Sequence, residues 1–315
     1  MAAHNAADFV EQAALSVRLQ TYASVELVAV DDGSTDSTFS ILSRMASDWP
    51  ALRIVRLPGC RGLSEARNAG IDAASGQWIA FLDADDLLHP RAVELMVAAA
   101  ASAPDTDVVI TPMHRFSAPA PDSSRPLRKS SPRTLPARRA LELMLYQRRG
   151  FDCSACGKLF CASLFRSADA PLRFRPGIAF EDLELVPRLM LRARSATYLP
   201  TPLYYYRMHP ASFMHSRDPK RADVLSVALG LRELMAREEP ALQRAASDRA
   251  YSAACGLWLL LRPWPETESF SPARTRRECL RVISEEWRHT MLNPRARAKN
   301  RLAAPFFGLL AVGSR

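Results

Sequence analysis

The sequence predicts an α/β protein, with a mostly parallel, doubly covered sheet followed by a mainly helical C-terminal extension. Three observations carry this expectation. Apolar strand-like runs alternate with helical spacing over residues 1–111. Two of those runs stop abruptly at carboxylates, Asp31-Asp32 and Asp83-Ala84-Asp85-Asp86. From about Asp223 onward the apolar spacing is helical, through Leu225–Leu234, Ala253–Leu261 and Arg277–Trp287.

The elements can be taken in order. Residues 5–19 read as an amphipathic helix with Asn5 as N-cap and Phe9, Val10, Ala13, Ala14 and Val17 on one face. Val25–Val30 is a β-branched strand ending in the acidic turn Asp31-Asp32-Gly33-Ser34-Thr35-Asp36. Phe39, Leu42 and Met45 mark a helix, Leu52–Leu57 a strand, and Cys60-Arg61-Gly62 a loop. Ser64–Ala74 is a helix carrying Arg67 and Asn68, closed by Ser75-Gly76. Trp78–Leu82 is a short apolar run of the kind buried inside a sheet, with Asp86 a natural cap for the next helix. That helix begins after Pro90, and a strand covers Asp107–Thr111. Residues 112–135, rich in Pro, Ser and Arg, predict a surface excursion that is mobile until something binds. Leu141–Tyr146 restores a helix, Phe180-Glu181-Asp182-Leu183 forms a third acidic site, and Ala196–Tyr206 reads as one strand, aromatic at its end.

A chain of 315 residues can bury a full core, as one large domain or two modest ones. The net charge of +9 is almost all arginine and suits an anionic partner. The arginines are scattered and no aromatic residues alternate with them, so nucleic acid is not an expected partner. Cys153-x-x-Cys156 with Cys161 admits a zinc reading, but no second pair with histidines at finger spacing follows. Free thiols in a reducing compartment are the expected state. Asn5 and Asp8 interrupt any secretory apolar core, and no run reaches the ~20 apolar residues that span a bilayer. The expected location is cytoplasmic.

Ligands of open α/β sheets bind outside the carboxyl ends of the strands, where both acidic turns fall. Two aspartates one residue apart can hold a divalent cation such as Mg²⁺ or Mn²⁺, which prefers oxygen ligands and stabilises a diphosphate leaving group. Asp31 and Asp32 could accept hydrogen bonds from a base or ribose, or simply form an Asx turn. Glu181-Asp182 could supply a general base if folding brings it to the sheet edge.

Together these motifs resemble the family 2 glycosyltransferases of the GT-A fold. The likeness rests on Val28-Ala29-Val30-Asp31-Asp32-Gly33-Ser34-Thr35-Asp36, Gly62-Leu63-Ser64-Glu65-Ala66-Arg67-Asn68-Ala69-Gly70 and Phe81-Leu82-Asp83-Ala84-Asp85-Asp86. It extends to Gly157-Lys158-Leu159-Phe160, Arg173-Phe174, Phe180-Glu181-Asp182 and Leu203-Tyr204-Tyr205-Tyr206-Arg207 with Ser212, roughly residues 4–217 in order. It implies a glycosyltransferase domain over 1–217, with a nucleotide-sugar half to about 111 and an acceptor half from 112, and a helical region over 218–315. The implied activity is inverting transfer from a nucleotide-diphosphate sugar, a UDP-sugar above all, to the hydroxyl of a glycan or lipid-linked acceptor. The implied setting is synthesis of cell-surface polysaccharide or glycoconjugate.

By the same resemblance, Asp32 binds the base with Asp31 beside it, and Arg67 lies at the nucleotide. Asp83 meets the ribose and Asp85 the Mn²⁺ or Mg²⁺, the triplet Asp83-Ala84-Asp85 matching the family's Asp-x-Asp. Asp182 takes the acceptor proton. Arg207 and Ser212 are candidates for the diphosphate, and Asn68 and Glu181 for supporting roles, while His209 and His215 nearby read as surface histidines, with a ligand role as the alternative. Asn5 fits the family's first turn with His4 in place of its tyrosine. The strand before that turn is expected to be missing, from a start internal to the natural one or in a destabilised protein. Such a loss costs roughly several kcal/mol. Two other functions stay open, a nucleotide-sugar binder without turnover and a nucleotidyltransferase, although the latter's Gly-rich phosphate loop is absent from the sequence. Arg295, Arg297, Lys299 and Arg301 before Phe306-Phe307 fit an interfacial membrane anchor, or else a terminal helix docked on its own domain.

Overall fold

The structure is a computed structural model that describes residues 1–117, 119–122, 127, 130–167, 170–210 and 212–313. Part of the expected 112–135 excursion lies outside those residues. The elements in order are β1 (Ala2–Ala3), α1 (Val10–Arg18), β2 (Leu27–Asp31), α2 (Thr38–Ala46), β3 (Leu52–Arg56), α3 (Leu63–Ala73) and β4 (Trp78–Ala80). There follow β5 (Leu87–Leu88), α4 (Ala92–Ala101), β6 (Thr106–Ile110), β7 (Met113–Phe116), β8 (Arg133–Pro136), α5 (Ala137–Leu145) and β9 (Lys158–Cys161). The chain closes with α6 (Glu181–Arg192), β10 (Ser195–Tyr198), β11 (Tyr204–Arg207), α7 (Asp223–Glu238), α8 (Gln243–Leu260), α9 (Pro272–Leu292) and α10 (Ala298–Gly313).

By its contacts the chain divides into two compact units that interleave along the sequence. The first is Met1–Ala140, Ser154–Gly177 and Arg188–His209, and the second is Leu141–Cys153, Ile178–Pro187 and Pro210–Arg315.

The first unit holds all the described strands. One sheet has the order β1-β2-β3, all parallel; a second has the order β4-β9-β6-β10-β8; a third has the order β5-β11-β7. Parallel pairing also joins β6 to β10 and β7 to β11, while β9, β8 and β5 enter antiparallel. All five residues of β2 are buried, which is why that strand reads as an unbroken apolar run. Val28 and Val30 pack on Ala66 of α3, and Val109 and Leu159 on Met96 and Ala99 of α4.

The strand expected to be missing is present in its last two residues. The Val30 amide donates to the Met1 carbonyl and the Asp32 amide to the Ala3 carbonyl, each at 2.8 Å. Ala2 also bridges in parallel to Asp83, so β1 joins the two acidic turns. Beyond it, a cavity of about 600 Å³ lined by Val28, Val30, Ile79 and Phe81, among others, separates β2 from β4. The backbone donors nearest the turns are therefore satisfied.

Other expectations also shift. The run Ala196–Tyr206 is two strands in different sheets, because Pro200 and Pro202 interrupt the ladder between them. Asn5 is not an N-cap: α1 starts at Val10, and Asn5 has φ 48°. The region read as a bare excursion contributes β7 and β8, and the acidic site at Glu181 opens α6, which carries Pro187.

In the second unit α7, α8, α9 and α10 pack around Tyr251, Leu257, Trp258, Val282, Ile283 and Phe307, as the helical spacing predicts.

Candidate active site

The three carboxylates at the end of β4 occupy three different environments. Asp83 Oδ1 accepts from Arg67 Nη2 at 2.8 Å. The Arg67 side chain comes from α3 and is only 6% exposed, with its guanidinium 5.3 Å over the Phe174 ring. Asp83 Oδ2 accepts from Cys156 Sγ at 3.5 Å, and burial pushes that thiol well up, so it stays a protonated donor.

Asp85 faces the other way. Its Oδ2 lies 2.9 Å from His209 Nε2, and its backbone carbonyl accepts from Arg207 Nε at 2.7 Å. The His209 ring stacks at 5.1 Å on Phe9, and Arg207 sits over both Phe9 and Phe116 while donating to Gln12 at 2.9 Å. Arg207 closes β11 and His209 lies just past it, and α1 and β7 hold the two side chains in place.

Asp86 is not a helix cap. It is fully buried, accepts from the Tyr204 hydroxyl at 2.6 Å and from the Arg207 amide at 2.7 Å, and burial next to Asp83 pushes its carboxyl up to about 8. Carboxylates that would repel are thus separated in kind, with an arginine on one, a histidine beside another and a buried, hydrogen-bonded third whose carboxyl is raised. The Tyr204 hydroxyl also accepts the Asp83 amide at 3.2 Å, tying the turn to β11.

The first acidic turn is arranged differently. Asp32 is buried, and its two oxygens accept from the amides of Arg61 and Gly62, both at 2.7 Å. Gly62, at φ 92°, lets the loop turn its amides onto that carboxylate. His4 Nδ1 donates to the Asp32 carbonyl at 2.8 Å, and a His4 nitrogen, an Asp32 oxygen and Cys60 Sγ fall within 4.8 Å of one another. His4 thus lies beside Asp32.

Several expected site residues serve the scaffold instead. Asp31 is fully buried, accepting from the Ser34 amide at 3.3 Å with Arg56 Nε 3.3 Å from its other oxygen, contacts that hold the turn. Asn5 accepts from the Thr35 amide at 2.9 Å, pinning the same turn. Asn68 clips the backbone of Phe174 through both ends of its amide, at 2.8 and 2.9 Å, and so places the ring beneath Arg67. Ala84 is buried between its two aspartates.

Asp182, Glu181 and Ser212 belong to the second unit. Glu181 is buried and Asp182 half-buried in the first turn of α6, entered through Phe180 at φ 60°. Ser212 precedes a 3-10 turn at Phe213–His215. The residue that sequence reasoning missed is Cys156, read only for its spacing to Cys153, while His209 reads in the sequence as a surface histidine with a ligand role as the alternative. The signal for His209 is its place two residues beyond Arg207 and the aromatic strand.

A carboxylate and an imidazole nitrogen already within contact distance are a donor set that fits a divalent transition metal, with Asp85 and His209 only partly buried and open to further ligands. The all-oxygen preference of Mg²⁺ makes this set better suited to Mn²⁺. Asp83, committed to Arg67, is not one of the donors that are free for a metal.

Comparisons with known proteins agree with this geometry. The sequence profile named Glycosyl transferase family 2 matches residues 1–167, more than half the chain. EpsH of Bacillus subtilis (strain 168) is 28% identical over 225 residues, which is 70% of this chain and 63% of EpsH, so the chain spans less than two thirds of that relative. Among solved structures, S. aureus TarS 1-349 in complex with UDP-GlcNAc superimposes with TM-score 0.72 at 17% identity, over 98% of this chain and 87% of that one. The mannosyltransferase PcManGT from Pyrobaculum calidifontis, in complex with GDP-Man and Mn²⁺, gives TM-score 0.56 at 16% identity, over 99% and 84%. These likenesses place the fold as GT-A-like with a helical C-terminal region. With its profile match running through both acidic turns and the Arg67 helix, the chain belongs to glycosyl transferase family 2.

Proposed function

We propose that this glycosyltransferase moves a sugar, with inversion, from a UDP-sugar to the hydroxyl of a glycan or lipid-linked acceptor during synthesis of polysaccharide or glycoconjugate. The observation that carries the reading is the pair of opposed contacts at the end of β4, Asp83 on Arg67 and Asp85 on His209. Together they set a fixed cation beside an exchangeable one, as a nucleotide diphosphate requires.

Asp85 and His209 are the residues that would hold a divalent ion, Mn²⁺ by their chemistry. When bound, it would neutralise charge on the departing diphosphate. Arg67 is held beside Asp83 and lends positive charge to the nucleotide, while Asp83 accepts from the ribose hydroxyls. Asp32 is fixed by two amides, with lone pairs left to accept from the base, and His4 offers its ring next to it. Asp182 takes the acceptor proton as the new bond forms, the role of general base that direct displacement requires. UDP is preferred over GDP because the TarS neighbour with the higher TM-score holds UDP-GlcNAc. The six cysteines are free, which suits a cytoplasmic setting.

The test is donor turnover with a panel of UDP- and GDP-sugars and Mn²⁺, in the wild type and in Asp182→Asn. The expected result is turnover with a UDP-sugar and a fall in kcat of about 10²–10⁴-fold in the variant, with nucleotide binding unchanged. Full turnover by Asp182→Asn would remove Asp182 as the base, and absence of turnover with every donor would overturn the transfer reading.

A further inference from the structure

We infer that the outer face of α10 seats this protein on an anionic membrane surface. The inference does not depend on the transfer reading, since it concerns the second unit alone.

The inner face of α10 is already occupied. Ala304, Phe307 and Ala311 are buried in the helical core, with the Phe307 ring edge-on to Trp258 at 6.0 Å, and Gly308 admits the Trp287 ring. This docking fixes which side points outward. There Leu302 is 82% exposed, Phe306 63% and Leu309 73%. Their spacing of four and three residues makes one continuous stripe, to which exposed Ala298 and Pro305 also belong. Single exposed apolar residues are ordinary, but a helix that spends its inner face on its own core and still presents two leucines and a phenylalanine to water carries an unfilled surface.

Charge selects the occupant. Residues 288–313 contain five Arg and Lys and no Asp or Glu. Lys299 and Arg301 are exposed around the start of the same helix, and Arg295, also exposed, is paired with Glu142 at 2.8 Å. An apolar stripe flanked by cations matches acyl chains below anionic headgroups. A second copy of the chain fits less well, because a two-fold pairing of this face would bring the same cationic residues together. Nucleic acid would satisfy the cations and leave the stripe in water. The helix is 16 residues, about 24 Å, and no described helix is long and apolar enough to cross a membrane, so the geometry is that of a helix lying in the interface.

The experiment is flotation of the full chain with phosphatidylcholine vesicles and with vesicles also containing phosphatidylglycerol, alongside its oligomeric state by light scattering. Wild type is expected to float with the anionic vesicles and to be released by salt. Leu302→Ser, Phe306→Ser and Leu309→Ser combined should weaken partitioning about tenfold or more, with an unchanged melting midpoint because all three side chains face water. Lys299→Glu with Arg301→Glu should remove the preference for anionic vesicles. If the triple variant fails to fold, Phe306→Ser alone carries the same prediction with a smaller loss. No flotation of wild type, or equal flotation of the stripe variants, would overturn the inference. So would a dimer that Phe306→Ser dissolves while vesicles bind neither form.

Discussion

The two acidic turns look alike in the sequence, each a strand ending in aspartates, yet they dispose of their charge by opposite means. Asp32 at the end of β2 is held by the amides of Arg61 and Gly62. Such partners are part of the backbone and cannot leave. Asp83 and Asp85 at the end of β4 are held by side chains, the Arg67 guanidinium and the His209 imidazole. Backbone donors make a rigid shelf, suited to recognising one flat group. A histidine against a carboxylate is a contact that a metal ion can enter, and on the proposed function the second turn is the one that meets the charge developing during transfer.

That contrast can be broken at several points, beginning with the largest expected effect. Arg67→Met strips the nearly buried cation from Asp83 and should cost about 2–4 kcal/mol in urea unfolding, since a partly buried carboxylate is left without its partner. Adding Asp83→Asn should restore part of that loss. If Arg67→Met is neutral, the pair is not what balances the turn. Asp32→Ala leaves two loop amides without their acceptor and should cost about 1–3 kcal/mol, with weaker nucleotide binding and an unchanged response to metal. A changed metal response in Asp32→Ala would mean that the turns do not divide the work as described.

The smallest effect concerns a carboxylate outside both turns. Asp248 in α8 is buried in the second unit, and burial raises its carboxyl to about 6 against the opposing pull of Thr290, Asn300, Arg297 and Arg148. A carboxyl raised on folding favours the protonated fold. Its contribution is fully present below the unfolded value of about 3.9 and is lost as pH rises through about 6. Stability should therefore fall between about pH 4 and 6, and Asp248→Asn should flatten that slope in thermal melts. A slope that is the same in both proteins would contradict the assignment.

What can be read from the sequence is whatever is local. Both acidic turns, the Arg67 helix and the helical C-terminal region are legible from short-range spacing, because a strand end and a helix face are each set by neighbours in the chain. His209 and Asp85 are 124 residues apart, and nothing local in either says that β11 returns beside β5, just past the acidic turn. Asp86 reads as a cap in the sequence because its burial depends on Tyr204, which is 118 residues away. Asn68 and Asp31 sit inside the right motifs, but their side chains turn to the scaffold, a choice of rotamer that sequence does not fix. β1 escapes a reading of the sequence because two residues are too few to show a strand pattern, although two suffice to satisfy the amides of Val30 and Asp32.

The most direct test of the β4 turn as the metal–diphosphate centre is Mn²⁺-dependent UDP binding, followed by calorimetry and by the Mn²⁺ resonance signal. Wild type should bind Mn²⁺ with UDP as a ternary complex, and Asp85→Ala and His209→Ala should each weaken it by about tenfold or more while UDP alone binds as before. If both variants bind Mn²⁺ with UDP as wild type does, Asp85 and His209 are not the metal's ligands and the division of labour between the two turns fails.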